Sequence, residues 1–339
     1  MPIIEARGLA RTFTSHKRVV EAVRGVSLSV REGEIVGFLG PNGAGKTTTL
    51  RMLTTLLKPT AGTATVAGAD LLRDPAGVRR RIGYVPQAIG QTGGGSDPNA
   101  MVTEELTLQA QLYRVPGAEI APRTEAVARQ LELSGLSGRL VKTLSGGQRR
   151  RLDIALGLVH SPGLVFLDEP TTGLDPQSRS NLWDHIRGLR ATLGTTIFLT
   201  THYLDEADAL CDRVLIIDNG RIVAGGAPEE LKRRISGDLV TLLVNGDPGL
   251  ASGVLAGQRG VRDIAIDQHT LRLTVENGEE ALPGLLRALD AAALTLVSIQ
   301  LARPTLDDVF LTLTGRSLRE DSPAAPAAPS EPVSTAAAR

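Results

Sequence analysis

The segment Gly40-Pro41-Asn42-Gly43-Ala44-Gly45-Lys46-Thr47 constrains this chain more than any other. It joins an apolar run of strand length, Ile35–Leu39, to a stretch, Thr48–Leu57, whose leucines recur at helical spacing. Strand, glycine-rich loop and helix in that order gather successive backbone N–H groups and the positive end of a helix dipole around one point, which suits phosphate oxygens. The pattern G-x-x-x-x-G-K-[ST] adds Lys46 to reach the β- and γ-phosphates and Thr47 to offer a hydroxyl to Mg²⁺.

Further strands are expected at Pro2–Ala6, Val19–Val23 and Val26–Val30, and then at Ile82–Val85, Leu164–Leu167 and Thr196–Thr200, the last three separated by segments long enough for helices. Such alternation argues for a parallel α/β core. Val214–Asp218 and Arg221–Ala224 flank Asn219-Gly220, a hairpin signal. The strand Leu164–Leu167 runs into Asp168 and Glu169, where parallel strands deliver ligands to a crevice. Asp168 is placed to hold Mg²⁺, and Glu169 to polarise an attacking water as general base. The 37 Lys+Arg balance 37 Asp+Glu, so nothing indicates whole-protein attraction to nucleic acid. A single cysteine, Cys211, excludes an intramolecular disulfide framework and a Cys-rich metal cluster and fits a reducing compartment. No leader pattern follows Met1, and no apolar run approaches the roughly 18–20 residues of a membrane span, so the chain is expected not to cross a bilayer.

Leu144-Ser145-Gly146-Gly147-Gln148 narrows the class. Ser145 and Gln148 have the S-x-x-Q spacing of a capping box opening a helix over Arg149–His160, and Gly146-Gly147 leave that helix end open to an anion. With the phosphate loop and the acidic pair, this segment resembles that of the ATP-binding subunits of ABC transporters, over about Ile3–Glu230. The resemblance implies an α/β P-loop NTPase ABC cassette with an antiparallel β subdomain and a helical subdomain, binding ATP and Mg²⁺. ATP would contact Gly40, Asn42, Gly43, Ala44, Gly45, Lys46, Thr47 and Thr48 of one copy, and Ser145, Gly146, Gly147 and Gln148 of a second copy set head to tail. Taken alone, Gln87 after Ile82–Val85 is polar surface, Asp175 in Gly173-Leu174-Asp175 a turn residue beside Pro176, and His202 a structural group at a strand end. The resemblance makes Gln87 a sensor of Mg²⁺ and the attacking water, Asp175 part of a loop crossing the dimer interface, and His202 a contact to the γ-phosphate. Phe13, in the N-terminal β region, either stacks on adenine or belongs to the core. Gly90–Asn99 is glycine-rich and expected to be mobile, where the family touches its permease; Glu104-Glu105 begins the next helix.

From Asp238 the pattern changes: strands at Leu239–Val244, Val261–Asp267, Thr270–Val275 and Leu294–Leu301, helices at Pro248–Ala256 and Glu279–Ala291. That β-α-β-β-α-β order suits a small ferredoxin-like α+β module. Pro304 is expected to open an amphipathic helix with Leu306, Val309, Phe310 and Leu313 on one face, and the run Pro304–Leu311 resembles one in daunorubicin-resistance-type ABC ATPases. The expected domains are the cassette, 1–236, the small module, 237–318, and a disordered Pro/Ala-rich tail, 319–339. The whole implies an ATPase at the cytoplasmic face of the cell membrane, a homodimer or paired with a related subunit, powering a separately encoded integral membrane permease for export of a hydrophobic drug. It would contact neither nucleic acid nor the transported substrate. The rival, an ABC-type ATPase acting on ribosomes or DNA, usually carries tandem cassettes or a long coiled-coil insertion, and neither is present.

Overall fold

The computed structural model describes residues 2–15, 18–87, 96–235, 237–268, 270–302 and 304–314. The first thirty residues form two long strands, β1 (Pro2–Ser15) and β2 (Arg18–Arg31), where the sequence reading expects three short ones. They pair throughout, with register shifts around Ala6, Leu9 and Arg11 that absorb the irregular pattern. The cassette continues through β3 (Ile35–Leu39), α1 (Lys46–Leu53), β4 (Ala61–Val66), β5 (Ala69–Asp70), α2 (Pro75–Arg81), β6 (Ile82–Val85), α3 (Val102–Leu112), α4 (Gly117–Gln130) and α5 (Gly146–Leu158). It is completed by β7 (Leu164–Asp168), α6 (Pro176–Leu193), β8 (Thr196–Thr201), α7 (Leu204–Leu210), β9 (Arg213–Asp218), β10 (Arg221–Gly226) and α8 (Pro228–Ile235). Helix α1 stops short of the expected Leu57 because Thr54 bonds back to the Leu50 carbonyl and Thr55 turns left-handed at φ 63°.

β3, β6, β7, β8 and β9 are parallel neighbours in the order β9-β3-β8-β7-β6, with β10 antiparallel at the edge. Alternate residues point to opposite faces of this sheet. Val36, Phe38, Phe166 and Phe198 pack under the antiparallel sheet β2-β1-β4-β5. Ile35, Leu39, Val165, Leu167, Ile197 and Leu199 face the helices. Burial on both faces explains why these strands read as continuous apolar runs. Helices α3, α4 and α5 form the helical subdomain and contribute Leu106, Val127 and Leu152 to the same helical-side core.

The C-terminal unit comprises β11 (Asp238–Asn245), α9 (Pro248–Ala256), β12 (Val261–Asp267), β13 (Thr270–Val275), α10 (Gly278–Ala291) and β14 (Thr295–Ala302). Its wholly antiparallel sheet has the order β12-β13-β11-β14, the ferredoxin-like arrangement. Val240, Leu242, Leu255, Leu271, Leu273, Leu285 and Leu289 form a core of its own. The last helix, α11 (Leu306–Thr314), leaves that unit: Leu306, Val309 and Phe310 join the cassette core with Leu210 and Leu231. Leu313 lies on the same face of α11 by helical spacing, but in its last turn it is 38% exposed. The expected tail, 319–339, lies outside the described residues, as do 90–95 of the glycine-rich stretch. At its far end, Asp97 N–H donates to Glu105, near the start of α3.

Candidate nucleotide site

The strand order brings the phosphate loop and the acidic pair together. β3 ends at Leu39 and delivers Gly40–Gly45; β8 lies between β3 and β7; and Asp168 pairs in register with Thr200 while Leu39 pairs with Thr201. β6 lies beyond β7 and carries Gln87 just past its end. Four separated stretches of sequence therefore converge at the carboxyl edge of one parallel sheet, where ligands bind in open α/β folds.

The loop is held by close packing. Gly45 sits at φ 107°, and a Cβ there would meet the Ala22 carbonyl at 2.5 Å. A Cβ on Gly43 would meet nothing within 4 Å, so the loop is open on the side that this Cβ would face. Gly45, the N-cap of α1, lacks a side-chain cap, and the first turn lacks an acid. The amides of Lys46, Thr47 and Thr48 at this helix start thus suit an anion. Lys46 is 4% exposed; its Nζ donates to the carbonyls of Gly40 at 2.7 Å and Pro41 at 3.1 Å, and lies 3.4 Å from Glu169 Oε1.

Thr47 Oγ1 donates to Asp168 Oδ1 at 3.1 Å, and Thr200 Oγ1 donates to the same oxygen at 2.6 Å. Thr200 Oγ1 also accepts from Glu169 N–H at 3.0 Å, tying the two acids together. Burial raises Asp168 above the ordinary carboxylate range and pulls Lys46 below the ordinary ammonium value against the attraction of Glu169. Glu169 adopts φ 43°, a left-handed conformation that persists for such a side chain only when its surroundings enforce it. Its Oε2 accepts from Gln87 Nε2 at 2.8 Å and Thr172 Oγ1 at 3.1 Å. His202 Nδ1 lies 3.2 Å from Oε2, off the line of a hydrogen bond and without another partner among the described residues. Burial opposes ionisation of Glu169, yet His202, the Lys46 charge and Thr172 together bring it down to about 2.

The site therefore gathers Lys46, Thr47, Gln87, Asp168, Glu169 and His202. It does not include the second group from the sequence reading. Ser145 and Gln148 form the reciprocal capping box, Gln148 N–H to Ser145 Oγ at 3.3 Å and Ser145 N–H to Gln148 Oε1 at 3.0 Å, on an exposed turn. Gly146 is exposed, and Gly147 approaches Ser178, whose N–H Asp175 accepts at 2.9 Å as the cap of α6. Phe13 is 39% exposed on β1 with the Arg11 guanidinium 4.7 Å from its ring centroid, so it is not a core residue. The sequence reading misses Thr200, whose signal is a polar end on an apolar strand, and Arg150, for which the sequence offers none.

Residues 23–172 match the ABC transporter family. The daunorubicin resistance ATP-binding protein DrrA3 of Streptomyces coeruleorubidus is 41% identical over 302 residues, 88% of this chain and 93% of that protein. The chain belongs to the ABC transporter ATP-binding proteins. Residues 226–314 of this ABC protein match the C-terminal domain of the ATP-binding protein DrrA1-3-like family. The Nod factor export ATP-binding protein I of Ralstonia nicotianae is 39% identical over 329 residues, 94% of this chain and 96% of its own. A dimeric ATP-binding cassette solved in a post-hydrolysis state with ADP and Pi has the same fold at a TM-score of 0.58 and 25% identity, over 66% of this chain and 98% of that one. This ABC protein is accordingly a nucleotide-binding ATPase of the kind that acts with a membrane component. No helix among its described residues is long and apolar enough to cross a membrane.

Proposed function

We propose that this ABC protein binds ATP with Mg²⁺ between two head-to-tail copies at the cytoplasmic face of the cell membrane. There it powers a separately encoded permease that exports a hydrophobic antibiotic. The observation that supports the chemistry best is the convergence of Lys46, Asp168, Glu169, Gln87 and His202 on the open phosphate loop. The uncapped start of α1 fits phosphate oxygens.

Gly40, Asn42, Gly43, Ala44 and Gly45 line the loop, and the α1 amides hold the β- and γ-phosphates with Lys46. Thr47, Asp168 and Gln87 are the residues that would hold Mg²⁺. Water and phosphate oxygens would complete the shell of this hard cation. When bound, Mg²⁺ neutralises phosphate charge and orients the reacting group. Glu169 stays ionised at every physiological pH; it orients the attacking water and accepts its proton at a carboxylate oxygen while Gln87 and Thr172 fix that carboxylate. His202 donates to the γ-phosphate, and Phe13 stacks on adenine. Ser145, Gly146, Gly147, Gln148 and Asp175, exposed or half-buried away from their own phosphate loop, face the nucleotide of the second copy.

The drug assignment draws on the daunorubicin-resistance relative; the Nod factor relative shows that similar cassettes serve other cargo, which the permease selects. The test is export in cells expressing this chain with its permease. Daunorubicin accumulation should fall only when both are present, and should not fall with Glu169→Gln. Accumulation unchanged by the pair, with ATPase activity intact, would refute the drug assignment and leave the ATPase reading standing.

A further inference from the structure

Arg150 is a buried cation that the nucleotide chemistry leaves unused. It lies on α5, five residues past the Ser145 cap, and is 7% exposed. Its guanidinium makes three hydrogen bonds, all to backbone carbonyls: Nε to Pro170 at 2.8 Å, Nη1 to Pro86 at 2.7 Å and Nη2 to Asp168 at 3.1 Å. Asp168 and Pro170 are the two neighbours of Glu169, and Pro86 immediately precedes Gln87. One planar fork thus grips both sides of the left-handed Glu169 and the backbone that aims Gln87 at it. The nearest carboxylate to the guanidinium, Asp153 on the next turn, is 3.9 Å away, so carbonyl geometry rather than a tight ion pair determines where the group sits. A lysine ammonium cannot span three carbonyls in this planar arrangement.

We propose that Arg150 is a positioning residue for hydrolysis. It enforces the strained backbone of Glu169 and the placement of Gln87, and it makes both depend on α5, the helix whose first turn is the Ser145–Gln148 segment. A strained conformation persists only where its surroundings over-determine it, and here the restraint comes from the helix that meets the second copy. Displacement of α5 along its axis shifts the fork relative to Asp168, Pro170 and Pro86 together. The assignment rests on Glu169 serving as the water-activating carboxylate.

The test uses the full-length chain as Arg150→Lys and Arg150→Gln, with Glu169→Gln in parallel. Turnover at saturating ATP, KM, affinity for a fluorescent ATP analogue and the thermal midpoint are measured. Expected is a fall in kcat of about 10²-fold, the scale of an ångström-level misplacement, with KM and analogue affinity within about twofold of wild type. In an Arg150→Ala chain, millimolar guanidinium should restore part of kcat without changing analogue affinity. Wild-type kcat in Arg150→Gln would overturn the proposal. So would a loss of kcat that tracks an equal loss of analogue affinity and folded protein in both substitutions, which would make Arg150 a core residue only. If Glu169→Gln itself turns over normally, the reading of Glu169 has failed; if it is inactive while the Arg150 variants turn over fully, the failure is that of Arg150 alone.

Discussion

From Lys46 to Lys232 the molecule buries Lys46, Glu105, Arg150, Asp153, Asp168, Glu169, Glu206 and Lys232, whereas the described residues of the sheet unit after Gly237 bury apolar side chains and no polar or charged one. Both parts pack sheets against helices, so architecture does not separate them. Burying an ion costs free energy that only matched partners offset, and the cassette supplies partners both at the ends of its parallel strands, for Lys46, Asp168 and Glu169, and on its helices, for Asp153, Glu206 and Lys232. The C-terminal sheet unit, with a core of Val, Leu and Ala, contributes packing and surface. Helix α11 crosses between the two, continuing the chain of the second unit into the core of the first.

The strongest way to break this division is to remove the charge that does the chemistry. Glu169→Gln should slow hydrolysis by about 10²–10⁴-fold while an ATP-bound dimer accumulates on size-exclusion chromatography. Lys46→Ala should instead weaken nucleotide binding itself. Near wild-type turnover by Glu169→Gln would remove that residue from the mechanism. The next largest effect concerns the two ends of the cassette. Ser145→Arg should abolish ATPase activity alone, and mixing it with Lys46→Ala should restore part of it, because one composite site in the mixed dimer is intact. Activity that is independent of mixing would contradict a site shared between copies.

Packing effects follow. Phe310→Ala should cost about 3–5 kcal/mol and should be felt by the cassette. The single tryptophan, Trp183, packs against the same core, so its fluorescence midpoint in urea should fall. Leu273→Ala, in the sheet unit, should cost about 2–5 kcal/mol locally, increasing proteolysis within 238–302 while the Trp183 midpoint and ATP affinity hold. Equal responses of Trp183 to both substitutions would show that the two parts unfold as one. The smallest effect concerns His160, whose ring stacks on Tyr113 at 3.7 Å and whose Nε2 lies 3.0 Å from the Ile82 carbonyl. Burial first, then the Arg123 charge, bring it down to about 4 against the pull of that carbonyl. The unfolded chain therefore binds the proton more readily, and the stability His160 contributes is present above pH 6.5 and lost as pH falls toward 4. His160→Phe should make this acid limb of a pH–stability profile shallower; an unchanged limb would place the proton elsewhere.

Much of the fold is legible in the amino-acid pattern, for reasons specific to each element. Ile35–Leu39, Ile82–Val85 and Leu164–Asp168 stand out because strands buried on both faces tolerate few polar interruptions. The β-α-β-β-α-β order after Asp238 is readable because α9, β12, β13 and α10 each carry their own period and their own caps, Asp247 and Asn277 among them. The long β1 and β2 read as fragments because their register shifts interrupt the alternation on which strand recognition depends. The Ser145–Gln148 capping box is equally legible, since both its hydrogen bonds close within four residues.

The sequence by itself determined that this ABC protein brings a phosphate loop, a hydroxyl and two acids, each recognisable because its motif is contiguous, whereas Gln87 and His202, single polar residues past strand ends, were marked only by the family resemblance. Tertiary structure alone decided that Gln87, Thr172 and His202 meet on the same oxygen region of Glu169, that Thr200 bridges the two acids, that Arg150 grips the backbone on either side of Glu169, and that Leu306, Val309 and Phe310 seat in the cassette rather than in the unit they follow. Local periodicity reports that a helix has an apolar face but carries no information about what covers it. Strand order in a sheet is set by the packing of the whole chain, and residues more than a hundred positions apart, such as Thr47 and Asp168, come within 3.1 Å only once that order exists.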